Sequence, residues 1–321
     1  SHDRSGRNLD VSTQWARNET APGVYNWAGI EEWIVDNLNI NPNCTLMYTL
    51  FGTPVFHQKY PGSFWSYGYI SGGGSPPKDM AALTNFVRAF YAWQLKRFGR
   101  YVVKYFEVWN EPNTTNDVSL DARHTQNKFF CGSSNDLADM AIAIKKGLPE
   151  GILLAGVAWE GQETNWPGSC HTKFMKALSN KGAAHIIDAL TGHSYVYHGP
   201  NDWGKVIDEM GNYLKRVMDL GYRPDVIVIN SEMGAELPGQ RLAEYGEENV
   251  ALWILRVIST QIAMGVKGVY LYNYRASDNE INPKHAKGMA AITTMHNMGG
   301  SLLYRAGQTV NNRLWLSFVD A

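Results

Sequence analysis

Short apolar runs alternate with amphipathic stretches along nearly the whole chain, and this alternation restricts the fold more than any other feature of the sequence. Thr45-Leu46-Met47-Tyr48-Thr49-Leu50-Phe51 reads as a strand stopped by Gly52-Thr53-Pro54, where proline removes a ladder donor. Tyr105 to Asn110, Leu153 to Val157, Ile187 to Gly192, Val226 to Asn230 and Gly268 to Tyr272 read the same way, and a shorter run near Leu9 to Trp15 precedes them. Between these runs the spacing predicts helices over about Ile30–Leu38, Met80–Phe98, Asn135–Lys146, Val206–Leu220, Glu247–Met264 and Lys284–Asn297. In the second, Leu83, Phe86, Val87, Phe90 and Tyr91 recur at three-and-four spacing, so one face should pack on a sheet. Strands and helices in strict alternation imply a parallel sheet covered by helices. At 321 residues the expectation is one α/β domain, a (β/α)8 TIM barrel over residues 1–300. Seven strands leave it one short of eight, so a strand is missing or replaced. The tail, 301–321, holds one strand from Arg313 to Val319 that either fills the gap or begins an accessory β-sheet.

Composition removes several function classes. A formal net charge of −1 with 18% charged residues leaves no basic surplus to hold phosphates, which argues against nucleic acid and anionic membrane surfaces as partners. No run of 18 apolar residues occurs, so membrane insertion is not expected, and the chain does not open on a signal peptide. Three cysteines are too few for a disulfide scaffold and lack metal-ligand spacing, and Asp117 and Asp121 lack the Gly and Glu of a calcium loop, so no metal is expected. Cys131 and Cys170 fall in loops after adjacent strands, on one face, and form a candidate disulfide; Cys44, just before a strand, should be a lone core thiol. Asn18, Asn43 and Asn113 begin Asn-x-Thr acceptor sequences, a number that chance supplies in an Asn-rich chain. The stretch from His57 to Pro77, rich in Gly, Pro, Ser and aromatics, is a loop of the length that usually serves function.

The chemistry concentrates in Tyr105-Phe106-Glu107-Val108-Trp109-Asn110-Glu111-Pro112-Asn113, an apolar strand that breaks at Pro112 with a carboxylate at its last position. Glu111 is thereby delivered to a loop mouth, with the Asn110 amide and the Trp109 face beside it. Glu107, inside the strand on the same side of the pleat, reads as buried and structural. Three strand–helix units later Val226-Ile227-Val228-Ile229-Asn230 ends in Ser231-Glu232, and strands three apart face one another across a barrel mouth.

The Trp-Asn-Glu-Pro-Asn string resembles the signature of clan A glycoside hydrolases, in which the Glu is the general acid/base and the preceding Asn contacts the sugar. From about Asp10 to Tyr274 the chain is similar to glycoside hydrolase family 39 and related bacterial exopolysaccharide hydrolases. The matching segments are Trp15 with Gly23-Val24-Tyr25-Asn26-Trp27, Tyr48-Thr49-Leu50 with Thr53-Pro54, Pro76-Pro77, the Glu111 strand, His193-Ser194-Tyr195, and Ser231-Glu232 with Gly234. The family more often carries Thr where this chain has Ser231, and Trp where it has Tyr272 and Tyr274. The resemblance implies a retaining mechanism with Glu111 as acid/base and Glu232 as nucleophile, and with Tyr195 holding the nucleophile carboxylate. A carboxylate pair does this work without metal or organic cofactor.

Further substrate contacts are expected from Asn110, His193 lining the pocket, His57 at the rim, and two of the four rings Trp15, Trp159, Tyr272 and Tyr274 as sugar platforms. The bland alternatives are a backbone cap for Asn110, a core histidine at 193, an exposed bystander at 57, and core for each ring. The resulting expectation is a monomeric, secreted or periplasmic enzyme cutting a β-linked polysaccharide internally. The rivals are an exo-acting β-xylosidase-like glycosidase and a barrel that binds carbohydrate without turnover. Under the disulfide expectation the denatured, unreduced chain titrates one thiol, and a count of three with a thiol reagent would exclude the bridge.

Overall fold

The computed structural model describes residues 11–40, 42–61, 73–112, 130–160, 170–193, 225–233, 258, 261–262, 265–271, 302–310 and 313–320, the last two segments as backbone alone. The chain divides into two compact units, residues 2–193 with 216–227, and residues 194–215 with 228–321 and Ser1. The predicted helices over 206–220 and 284–297, and most of that over 247–264, lie outside the described residues.

The first unit opens with a 3-10 turn, Val11–Thr13, and a short helix α1, Trp15–Asn18. A strand was expected near Leu9 to Trp15; Leu9 and Asp10 lie outside the described residues, and from Val11 onward the chain is helical. The reason is where its hydrogen bonds go. The Trp15 and Ala16 amides donate to the Phe51 and Gly52 carbonyls at 3.1 and 2.8 Å. The Asn18 side chain donates to the Ser12 and Gln14 carbonyls. A two-stranded hairpin follows, β1 (Glu19–Ala21) with β2 (Val24–Tyr25), turned at Pro22-Gly23, where Gly23 takes φ 73°. Helix α2 spans Ala28–Ile40.

Strands β3 (Leu46–Thr49), β4 (Val103–Glu107), β5 (Leu153–Ala155) and β7 (Ala189–His193) pair in parallel in that order, and the two-residue β6 (Trp159–Glu160) also pairs with β7. Helices return the chain between them: α3 (Met80–Phe98), α4 (Ser134–Gly147) and α5 (Cys170–Asn180). Ile227, at the start of β8 (Ile227–Met233), continues the ladder by donating to the Asp188 carbonyl at 3.3 Å. In the second unit β8 pairs in parallel with β9, Val266–Leu271.

The tail carries two strands where one was expected. β10 (Leu302–Val310) and β11 (Arg313–Asp320) form an antiparallel, two-stranded sheet of their own. No strand was expected over 302–310, which is extended by its pairing with β11. The six longer parallel strands and their helices make an α/β fold in the pattern of an incomplete (β/α) barrel. The described residues do not form the closed eight-stranded barrel expected. No helix among them is long and apolar enough to cross a membrane.

Local signals account for the helix bounds. Asp79 caps α3 by accepting from the Ala81 amide at 2.8 Å, and Gly99 ends it in the left-handed region, φ 68°, with its amide on the Leu95 carbonyl. Ser133 and Asp136 make a reciprocal capping box at α4. The predicted face of α3 is buried: Leu83, Phe86, Val87 and Phe90 are wholly enclosed, with Phe90 against Tyr48 and Phe106 from β3 and β4. Two amides at the entry to β4, on Val102 and Val103, donate to the buried Gln94 side chain at 3.1 and 3.0 Å.

The ends of the long loop are clasped side by side. Gln58 bridges Pro77, Lys59 donates from its backbone to the Pro76 carbonyl, and the Lys59 ammonium reaches Asp136 at 2.6 Å, tying the loop to the start of α4. That bond raises the Lys59 pKa above its ordinary value. Cys44 is a free thiol at intermediate exposure, not in the core as expected, because the turn before β3 leaves it at the rim.

Helices α3 and α4 approach closely at Gly147, where an added Cβ would meet the Thr84 carbonyl oxygen and Val87 Cβ, both at 2.8 Å. Gly147→Ala gains some helix propensity, but the backbone contact forces the helices apart. A net loss of about 1–2 kcal/mol is expected, read as a lower urea midpoint.

Candidate active site

Glu111 is positioned by an extension of the β4–β5 ladder beyond the ends of both strands. The Val108 amide donates to the Ala155 carbonyl at 3.3 Å, Asn110 bridges Ala158 in parallel, and the Glu111 amide donates to the Ala158 carbonyl at 3.0 Å. Pro112 has no amide to continue it. Glu111 itself has φ 40°, the sole non-glycine residue with positive φ among the described residues. A carboxylate-bearing residue held there is strained by about 1 kcal/mol or more, and such strain collects at functional positions.

The side chain meets a buried histidine. His193 Nδ1 lies 2.6 Å from Glu111 Oε1, with the imidazole fully enclosed and the carboxyl 15% exposed. His193 is the last residue of β7, opposite Glu160 of β6, and Thr191 two residues earlier anchors the strand by donating to the Gly156 carbonyl. The expectation placed His193 in the pocket lining; the structure makes it the direct partner of Glu111. Trp109, expected to set a flat apolar face beside Glu111, is fully buried and packs edge-on against Phe130 at 5.2 Å. Glu107 is buried as expected and accepts from the Thr49 hydroxyl at 2.7 Å. Asn110 is largely buried beside Glu111.

In the second unit, Glu232 lies within β8, which runs on past the predicted end at Asn230 to Met233. Its register against β9 shifts between Asn230 and Met233, so Ser231 and Glu232 sit in an irregular step, and Glu232 is 7% exposed. Bulges of this kind re-aim side chains beside active sites. The Asn230 side chain donates to the Gln261 side chain at 3.1 Å.

Near the N-terminus, Trp15 is fully enclosed, so it is a core residue and not a sugar platform. Its indole donates to Glu19 Oε2 at 2.5 Å, and its face stacks on His57 at 5.5 Å. His57 in turn faces Glu19 Oε1 at 3.0 Å, which replaces the exposed bystander by a fixed, mostly buried ring. Glu19 was not singled out by sequence reasoning, although the four-residue spacing from Trp15 was a usable signal. Burial and the Glu19 charge together push the Tyr25 phenol up to about 12. Tyr195, Tyr272 and Tyr274 lie outside the described residues, as do the side chains of Trp159 and Cys170, and with the latter the Cys131–Cys170 pair.

No family model and no curated protein matches the chain. Solved structures do. A family GH39 β-xylosidase from Caulobacter crescentus aligns over 78% of this chain and 50% of its own, with TM-score 0.53 and 18% identity. A GH10 xylanase from Bispora sp. MEY-1 aligns over 89% of this chain and 86% of its own, with TM-score 0.54 and 14% identity. A GH5-4 broad-specificity endoglucanase from an uncultured bacterium aligns over 86% and 78%, with TM-score 0.54 and 12% identity. The chain spans half the length of the Caulobacter enzyme. The fold is therefore shared with several clan A barrel families, and the likeness does not single out family 39.

The strain at Glu111 is separable from its chemistry. Glu111→Gly and Glu111→Ala both lose the contact with His193, but only glycine tolerates φ 40° freely. The Gly variant is expected to be about 1 kcal/mol more stable than the Ala variant in urea denaturation.

Proposed function

We propose that the chain is a retaining β-glycoside hydrolase in which Glu111 is the general acid/base and Glu232 the nucleophile. One observation carries the reading: a carboxyl that ends a parallel strand in a strained backbone conformation, held at 2.6 Å by an enclosed imidazole. A purely structural Glu does not require either device. The fold, shared with solved glycosidases, supports it.

In this mechanism Glu232 attacks the anomeric carbon while Glu111 protonates the departing oxygen. Glu111 then takes a proton from water as the glycosyl ester is cleaved. His193 orients the acid/base carboxyl through Nδ1. Retention requires the two carboxyls about 5–5.5 Å apart. Xylanases and a β-xylosidase are among the structures that share the fold, so β-1,4-xylan is the first polymer to test, with other β-linked glucans and exopolysaccharides beside it. Internal cleavage of a polymer is the favoured mode, and a polymeric substrate places the enzyme outside the cytoplasm, secreted or periplasmic.

Glu111→Gln and Glu232→Gln are each expected to lower kcat on the cleaved polymer by about 10²-fold or more. Azide should restore turnover of Glu111→Ala on an activated aryl glycoside, giving the β-glycosyl azide. Wild-type activity in both Gln variants would defeat the assignment. Product sizing separates internal from terminal cleavage, and binding without products would favour a non-catalytic barrel.

A further inference from the structure

We propose that Glu19 is a positioning residue that sets the tautomer of His57, so that the imidazole offers its Nδ1 lone pair to a hydroxyl of the sugar substrate. The inference rests on the glycosidase reading for its ligand, but not for the arrangement of the two side chains. Glu19 is almost wholly buried, and both its oxygens are engaged. Oε2 accepts from the Trp15 indole at 2.5 Å, and Oε1 accepts from the Gly23 amide at 2.8 Å. Indoles and amides only donate, so Glu19 acts as an acceptor on both sides. His57 Nε2, 3.0 Å from the same Oε1, must then be the donor. In the neutral ring this leaves Nδ1 without a proton, as an acceptor.

The ring cannot readily turn to offer its other edge. It stacks on Trp15 and meets Phe56 edge-on at 4.7 Å. Its backbone is held at both ends, its amide on the Pro54 carbonyl at 2.8 Å and its carbonyl on the Lys78 amide at 2.7 Å. Among the described residues no group pairs with Nδ1, and the side chain is 12% exposed. His57 closes the 3-10 turn Val55–His57 that follows the C-terminal end of β3, and Glu111 follows the C-terminal end of the adjacent, parallel β4. The two therefore belong to the same end of the sheet.

The surroundings fit a sugar ring better than an ion. Val24 and Val55 are two of the large apolar side chains most open to solvent, at 55% and 64%. Each is joined to this cluster through its chain neighbours, because the Gly23 amide and His57 Nε2 converge on one Glu19 oxygen. Exposed apolar groups beside a single fixed acceptor suit a ligand with C–H faces and O–H donors, a neutral oligosaccharide.

Long-range proton–nitrogen spectra of the ¹⁵N-labelled full chain, at a pH where the ring is neutral, test the arrangement without ligand. The Nε2–H form is expected, with mixed tautomers in Glu19→Gln; an Nδ1–H form would overturn the inference. Xylohexaose and cellohexaose are then added to the Glu111→Gln chain. The oligosaccharide that the wild type cleaves should shift the His57 Nδ1 resonance. His57→Phe keeps the stack on Trp15, and should raise KM about fivefold to tenfold with kcat within twofold, as for one lost neutral hydrogen bond. An unmoved resonance and unchanged KM with a cleaved oligosaccharide would refute the sugar contact. Failure to cleave any glycan would count against the glycosidase reading, while the tautomer would still decide the Glu19–His57 pairing.

Discussion

A parallel ladder cannot be closed by tight turns, and this constraint organises the first unit. Each strand must be carried back to its starting end by a crossover, so α3, α4 and α5 are required as much as the strands are. The strands are then covered by helices, which is why Leu46, Met47, Phe106 and Leu154 are wholly enclosed. Every strand of this ladder also points its C-terminal end the same way. The loops that follow β3, β4 and β7 are thus gathered at one end without any need for them to recognise one another.

The candidate site lies where that ladder stops. Beyond β4 and β5 the pairing persists for a few residues as single bonds, just long enough to hold Glu111 by its amide on Ala158. A buried polar group must find partners or destabilise the fold, and the partners found here define the chemistry: Glu111 with His193, Glu107 with Thr49, and Glu19 with Trp15, Gly23 and His57. The Lys59–Asp136 contact ties the loop after β3 to the helix that follows the Glu111 strand. Stability and site geometry are therefore set partly by the same hydrogen bonds.

Much of the architecture was legible residue by residue. The apolar spacing of Leu83, Phe86, Val87 and Phe90, with Asp79 before and Gly99 after, specifies α3 to its terminal residues. The run at Val226 to Asn230 located β8, yet its end was misplaced, since Ser231 and Glu232 carry no strand signal and are extended by pairing with β9. Leu302 to Val310 was missed for a similar reason: with Gly307 and Arg305 in it, the segment looks like a loop until β11 pairs with it. Trp15, a candidate sugar platform, and Trp109, expected to set a flat face beside Glu111, are both enclosed, because a sequence shows that a ring is available, not what covers it.

The sequence alone determined the order of the parallel strands, the places of α3 and α4, and the identity of the carboxylates at the strand ends, because these depend on local periodicity and on proline's missing amide. Only the tertiary structure decided which side chains meet. The partnership of Glu111 with His193, and of Glu19 with His57, joins residues 82 and 38 positions apart. Such contacts arise from strand register and burial, which no single segment encodes. They turn a motif into a site with a defined hydrogen-bond geometry.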